Sequence, residues 1–239
     1  MMRIKYSGDL SRDASAVMSE LEPTVRVAFN GLGKGPVTPQ LVQFFRAFDT
    51  MTALSPGATS CQAGCTYCCH YHVMVSATEV FAVAEAIGKL PAATRAVITA
   101  RVHETAARTK NMGRDIYIRT NVECAMLLDG KCSVYAARPI ACRGHHSADV
   151  AVCKETHDNV HSDALAPKDY QREVAFRAFD HAQLLANYQA SVDTTKYELH
   201  AALSTALSNP TSFKRWKAGK SAFPDVVDKT TLAEMIQSG

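Results

Sequence analysis

Along most of this chain apolar residues recur every three or four positions, the spacing that gathers them on one face of a helix. In the tail, Tyr170, Val174, Ala178, His181, Leu185, Tyr188 and Val192 form such a stripe, which predicts core packing for His181. A second stripe, Leu199, Ala202, Leu203, Ala206 and Leu207, runs to Asn209-Pro210. Local signals bracket the helices. Thr38-Pro39 offers a capping hydroxyl and a proline suited to a first helical turn, with a stop at Ser55-Pro56-Gly57. Ser76 to Glu79 and Thr195 to Glu198 have capping-box spacing, and Pro91 opens a helix expected to reach about Met112. Strand-type alternation is confined to short candidates at His72 to Val75 and Asp115 to Ile118. The pattern predicts a mainly α protein in which helices flank an irregular centre with few short strands.

Cysteine placement divides the chain into three zones. Residues 1–56 form an N-terminal helical segment, residues 57–157 carry all eight cysteines, and residues 158–239 form a cysteine-free helical segment expected to pack on the centre. Hydrophobic residues at 47% and charged residues at 21% exclude a disordered chain. A formal charge of +3 provides no broad basic field, so nucleic acid is not the expected partner. No secretory signal follows the first basic residues, and no apolar run approaches about eighteen residues, so neither export nor a membrane span is expected. A cytoplasmic location is the default, and there thiols stay free or take metals.

Residues 61–69 read Cys-Gln-Ala-Gly-Cys-Thr-Tyr-Cys-Cys, placing half of the cysteines in nine residues. Four thiols so close cannot pair as ordinary disulfides, whereas several thiolates can converge on one metal centre. Cys124, Cys132, Cys142 and Cys153 follow on predicted turns and short pieces, with Asp129-Gly130 marking a turn before Cys132 and Arg138-Pro139 halting a short helical turn before Cys142. Zinc favours four tetrahedral ligands, and Cys65-x-x-Cys68 has knuckle spacing, so eight cysteines suit two such sites. An iron–sulfur cluster, of the 4Fe-4S type, takes closely spaced cysteines plus a distant one, which Cys61, Cys65 and Cys68 with one of Cys124, Cys132 or Cys142 would supply. His70, next to Cys69, is the first nitrogen candidate, and Cys153 is either a ligand or a buried thiol. Arg138 and Arg143 either pair with surface carboxylates or offset thiolate charge.

These two motifs, CQAGCTYCC and CSVYAARPIACR, resemble the YkgJ-type cysteine-cluster family of zinc- or iron-chelating proteins, from Cys61 to about Glu155. The resemblance implies metal binding by Cys61, Cys65, Cys68, Cys69, Cys124, Cys132 and Cys142, with Tyr135, Arg138, Pro139 and Arg143 at accompanying positions beside the cofactor. Three residues separate Cys61 from Cys65 where the family pattern has two. Such a likeness names a site and not a reaction.

Cys61-x-x-x-Cys65-x-x-Cys68 is also similar to the cluster motif of radical S-adenosylmethionine enzymes, although no regular βα alternation follows it. Flagellin lysine methylases carry a similar cysteine-rich segment, which implies a protein-modifying enzyme acting on a protein substrate as one alternative. A redox protein and a structural module with a protein partner are the others. Residues 213–223 mix Phe213, Trp216 and Phe223 with basic side chains, and packing of those rings with solvated cations is the expectation.

Overall fold

The computed structural model describes residues 5–55, 57, 59–62 and 64–237. Pro56 and Ala63, in the predicted helix stop and in the first cysteine gap, lie outside the described residues. Helices hold 58% of the described residues and strands 5%, so the fold is mainly α as the apolar spacing predicts. Among the described residues, no helix is long and apolar enough to cross a membrane.

Two strand–helix units stand at the heart of the molecule. Strand β1 (Met74–Ser76) leads directly into α3 (Ala77–Gly88), and strand β4 (Lys196–Glu198) leads directly into α9 (Leu199–Ser208). The strands pair antiparallel, Met74 with Glu198 and Ser76 with Lys196, while β5 (Lys229–Thr230) pairs with the outer edge of β4. Helices α3 and α9 pack against each other, and α4 (Ala92–Thr109) packs on α9.

Each unit is capped by its own strand. Ser76 and Glu79 form the predicted capping box. The second box departs from expectation: residues 196–198 are a strand, and Glu198 is itself the N-cap, accepting a 2.7 Å bond from the Ala201 N–H. The Thr195 to Glu198 spacing had no apolar strand pattern to compete with it, because β4 spans three residues.

On the other side, α1 (Leu10–Ala28) packs along α8 (Tyr170–Gln189), and α2 (Thr38–Ala53) wedges between them and α3. Phe44 and Phe48 meet Phe179 at ring separations of 5.0 and 5.2 Å. Thr38 does not cap α2. Its hydroxyl and the Val37 and Thr38 N–H groups all donate to the Glu85 carboxylate of α3, at 2.8 Å from the Val37 nitrogen, so an anion on a neighbouring helix satisfies this N-terminus.

The buried face of α8 is Val174, Ala175, Ala178, Phe179, Ala182, Gln183, Ala186 and Asn187. His181, Leu185 and Tyr188 are exposed, so the predicted stripe is rotated and His181 is not a core residue. Four alanines made the true face look weak, yet they let α1 and α8 approach closely.

A second aromatic group closes the tail. In α10 (Thr211–Lys217) Trp216 is fully buried against Phe81, 5.4 Å away, and donates its indole N–H to Thr78. Phe223 is equally buried, 4.9 Å from Tyr197, so these rings pack as expected. The chain ends in α11 (Leu232–Gln237).

Candidate metal centre

The first cysteine group lies on a loop that tightens into a 3-10 turn, Tyr67–His70, just before β1. The second hangs from short pieces: a hairpin of β2 (Leu127–Leu128) and β3 (Lys131–Cys132), a 3-10 turn at Tyr135–Ala137, and α6 (Ile140–Gly144). Asp129 and Gly130 turn the hairpin with φ of 49° and 71°, the left-handed pair of a two-residue loop, as their dipeptide predicts. The candidate strand at Asp115 to Ile118 is instead the helical turn α5 (Arg114–Tyr117), whose Gly113 start lets two N–H groups reach one carbonyl.

Two backbone bonds bring the cysteine groups together. The Cys124 N–H donates to the Cys69 carbonyl at 2.8 Å, and the Ser60 N–H donates to the Ser147 carbonyl at 2.9 Å. Glu79 then ties the second group to the strand–helix scaffold. Its buried carboxylate accepts the Ser76 N–H at 2.9 Å and the Ile140 N–H at 2.8 Å, so it caps α3 and holds the first residue of the helix that carries Cys142.

Seven of the eight predicted cysteines, 61, 65, 68, 69, 124, 132 and 142, line one cavity of about 940 Å³. Its remaining wall is largely apolar, with Met74, Val83, Phe176 and Leu199, and carries the ion pair of Lys196 with Asp180. All eight thiols are free. Among the described residues, no three His, Cys, Asp or Glu side chains are gathered closely enough to hold a metal ion as they stand. The thiols surround a space rather than meet at a point.

The eighth cysteine differs. Cys153 is buried in α7 (Val150–Asp158), which packs on the Tyr67–His70 turn behind the cavity wall.

Burial pushes the Cys142 thiol well up, and its neighbours Cys124, Cys68 and Cys132 add to that, while Arg138 acts the other way. Cys68 is pushed up first by its hydrogen bond with Cys69 and then by burial. Cys65 and Cys132 are raised chiefly by burial. A thiophilic cation would offset what burial costs these sulfurs in their charged form. The soft sulfur donor set therefore fits zinc or iron.

The supporting positions separate. Arg138 lines the cavity and stacks on Tyr135, its guanidinium 3.6 Å from the ring centre. Arg143 faces elsewhere: it pairs with Asp49 at 2.6 Å, donates to the Arg138 and Ala136 carbonyls, and lies over Phe45. It braces the backbone of the second motif and ties it to α2.

Among the histidines, the structure reverses the order of interest. His70 bonds the Thr66 carbonyl at 3.2 Å, stacks edge-on against His157 and is not on the cavity wall. His145 is on that wall, its Nε2 buried without a hydrogen-bond partner among the described residues, and burial lowers its pKa to about 4, so its imidazole is neutral.

Sequence reasoning also missed His200, which is buried at the cavity wall. Its Nδ1 bonds Glu198 at 3.0 Å and its Nε2 accepts the Ala125 N–H at 3.2 Å, one residue after Cys124. Tyr117 completes the group through its hydroxyl on Glu198. Only the pairing of distant segments makes this support for Cys124 visible.

Comparison with curated proteins gives no match, and comparison with solved structures gives none. Residues 60–164 match the family model described as "CxxCxxCC: Putative zinc- or iron-chelating domain". The cysteine-bearing centre is thus similar to the CxxCxxCC family, in agreement with the resemblance carried by its paired motifs.

Proposed function

We propose that this protein binds a thiophilic metal centre through cysteines of both groups, and that the centre is an iron–sulfur cluster, with zinc as the competing metal. The observation that supports the reading is the single cavity onto which Cys61, Cys65, Cys68, Cys69, Cys124, Cys132 and Cys142 all open. When bound, an iron–sulfur cluster supplies one-electron chemistry, whereas zinc supplies a redox-inert cross-link or a Lewis acid. The cluster is preferred because closely spaced cysteines and a distant set share the wall, the donor arrangement such clusters use. Arg138 offsets the charge of the thiolates, Arg143 holds the backbone between them, and the Glu198–His200 pair fixes the position of Cys124.

Purification without oxygen tests this. The expected protein is brown and holds iron with acid-labile sulfide. A colourless preparation with stoichiometric zinc replaces the cluster by zinc, and a chain that takes up neither metal removes the function.

One observation favours a catalytic role over a purely structural one. A cavity of about 940 Å³ lies at the upper end of the range for small-molecule sites and exceeds what a metal centre alone fills. A cluster-dependent protein-modifying enzyme using S-adenosylmethionine fits that space. Spectral change of the anaerobic holoprotein on adding S-adenosylmethionine is expected from it, and an unchanged spectrum favours a structural or electron-transfer protein.

A further inference from the structure

The cavity has a side that the cysteines do not supply. Gly144, at the end of α6, leaves no room for a Cβ because the Phe176 ring of α8 packs directly on it, so Phe176 and His145 are neighbours on the wall. The Tyr71 ring steadies His145 there, edge-on at 5.0 Å. Asp180 follows Phe176 by one helical turn, on the same face of α8, and pairs with Lys196 of β4. Met74, Val83 and Leu199 complete this side with apolar surface.

Folding alone accounts poorly for two of these features. The His145 Nε2 is buried without a hydrogen-bond partner among the described residues, and a polar atom left unmatched in a native interior calls for a partner from outside the chain. The Lys196 and Asp180 side chains are only 17% and 23% exposed, although an ion pair sunk in an apolar wall contributes little to stability in itself. Lys196 carries three donors, and among the described residues Asp180 alone accepts from them.

Charge then selects the ligand. Among the described wall residues Asp180 is the one carboxylate, against Arg114, Lys131, Arg138 and Lys196. Arg138 acts on the thiols, but Arg114 and Lys131 are exposed at the opening and pair with no carboxylate among the described residues. Uncompensated cations beside low-dielectric walls draw anions in.

We infer that this side of the cavity is a binding subsite for a small organic carboxylate with an apolar body: Lys196 takes the carboxylate, Met74, Val83, Phe176 and Leu199 take the body, and His145 hydrogen-bonds a polar group at its far end. The inference rests on the small-molecule reading of the cavity and names the class of molecule it admits. No cysteine takes part in it.

Calorimetric titration of the anaerobically purified full chain with phenylpropionate, its para-hydroxyl derivative and phenylpropylamine tests the subsite, with iron, zinc and sulfide assayed on the same samples. Both acids are expected to bind and the amine is not. The hydroxylated acid should bind several-fold more tightly than its parent, a gain that His145→Phe removes. Asp180→Asn frees Lys196 and should tighten the acids several-fold, whereas Lys196→Met should weaken them about tenfold or more. Lys196→Met leaves Asp180 without its cation, so Asp180→Asn carries the test alone should that variant fail to fold. Preference for the amine, lost in Asp180→Asn, overturns the assignment, as does acid binding that Asp180→Asn leaves unchanged. No binding of any probe overturns the subsite, and the metal content of the same sample reports separately on the metal-binding reading.

Discussion

The paired strand–helix units and the cysteine-bearing centre are held together by different means. In the units, Val75, Ala77, Val80, Val83, Tyr197, Leu199, Ala202 and Leu203 are at most 1% exposed, and local caps satisfy the helix ends. Apolar burial and complete hydrogen bonding make such a region stable on its own terms. The centre has two-residue strands, 3-10 turns and half-buried thiols. Its short pieces send Ala125, Met126, Val134 and Ile140 into the shared core and are oriented by a few bonds back to the scaffold, chiefly through Glu79, Glu198–His200 and Arg143. A rigid frame presenting a loosely built centre is the division expected where function needs adaptable ligands and folding needs a core.

Breaking the frame should have the largest effect. Trp216→Ala removes a fully buried indole and its bond to Thr78, so a loss of about 3–5 kcal/mol is expected in denaturant unfolding. Such a loss should lower the stability of the whole molecule, because one hydrophobic core draws residues from all three zones of the chain.

Cutting the link between frame and centre should cost less overall and more locally. Glu79→Gln leaves one oxygen to accept from Ser76 and Ile140, which is expected to cost about 1–3 kcal/mol. The sharper readout is hydrogen exchange. Faster exchange is expected at residues 140–144 than in α9, and uniform acceleration in both would show that Glu79 acts only through global stability.

The smallest effect tests a contact remote from the centre. Asp13 accepts bonds from the Tyr170 hydroxyl at 2.6 Å and from the Ser7 N–H at 2.9 Å, and Tyr170 foremost holds its pKa at about 2, below the ordinary 3.8. A carboxyl depressed on folding stabilises the protein above its ordinary value, and that contribution disappears as pH falls through about 2. The melting temperature of wild type should therefore drop more between pH 4 and 2 than that of Tyr170→Phe. Equal drops would show that Asp13 is not held by Tyr170.

What could be read from the chain follows the same division. The chain was legible where a local rule sufficed, as in the Ser76–Glu79 box of the frame and the Asp129-Gly130 turn of the centre. It was misread where a neighbour overrode local chemistry: Glu85 capping α2 from another helix, alanines forming the buried face of α8, and a three-residue strand where a cap was expected. In the centre, the cysteines themselves were legible from their crowding. Their sorting was not, because the positions of Cys153, His145 and His200 depend on how α7, α6 and α9 pack around the cavity.

The central claim is that sulfurs from two distant stretches share a metal site. Residue-resolved alkylation of the metal-loaded and metal-stripped protein, read by mass spectrometry, tests it most directly. Metal is expected to protect Cys65 and Cys68 together with Cys124, Cys132 and Cys142, and stripping to expose both groups. Protection confined to the 61–69 group, with Cys124, Cys132 and Cys142 reacting equally in both states, would contradict the account.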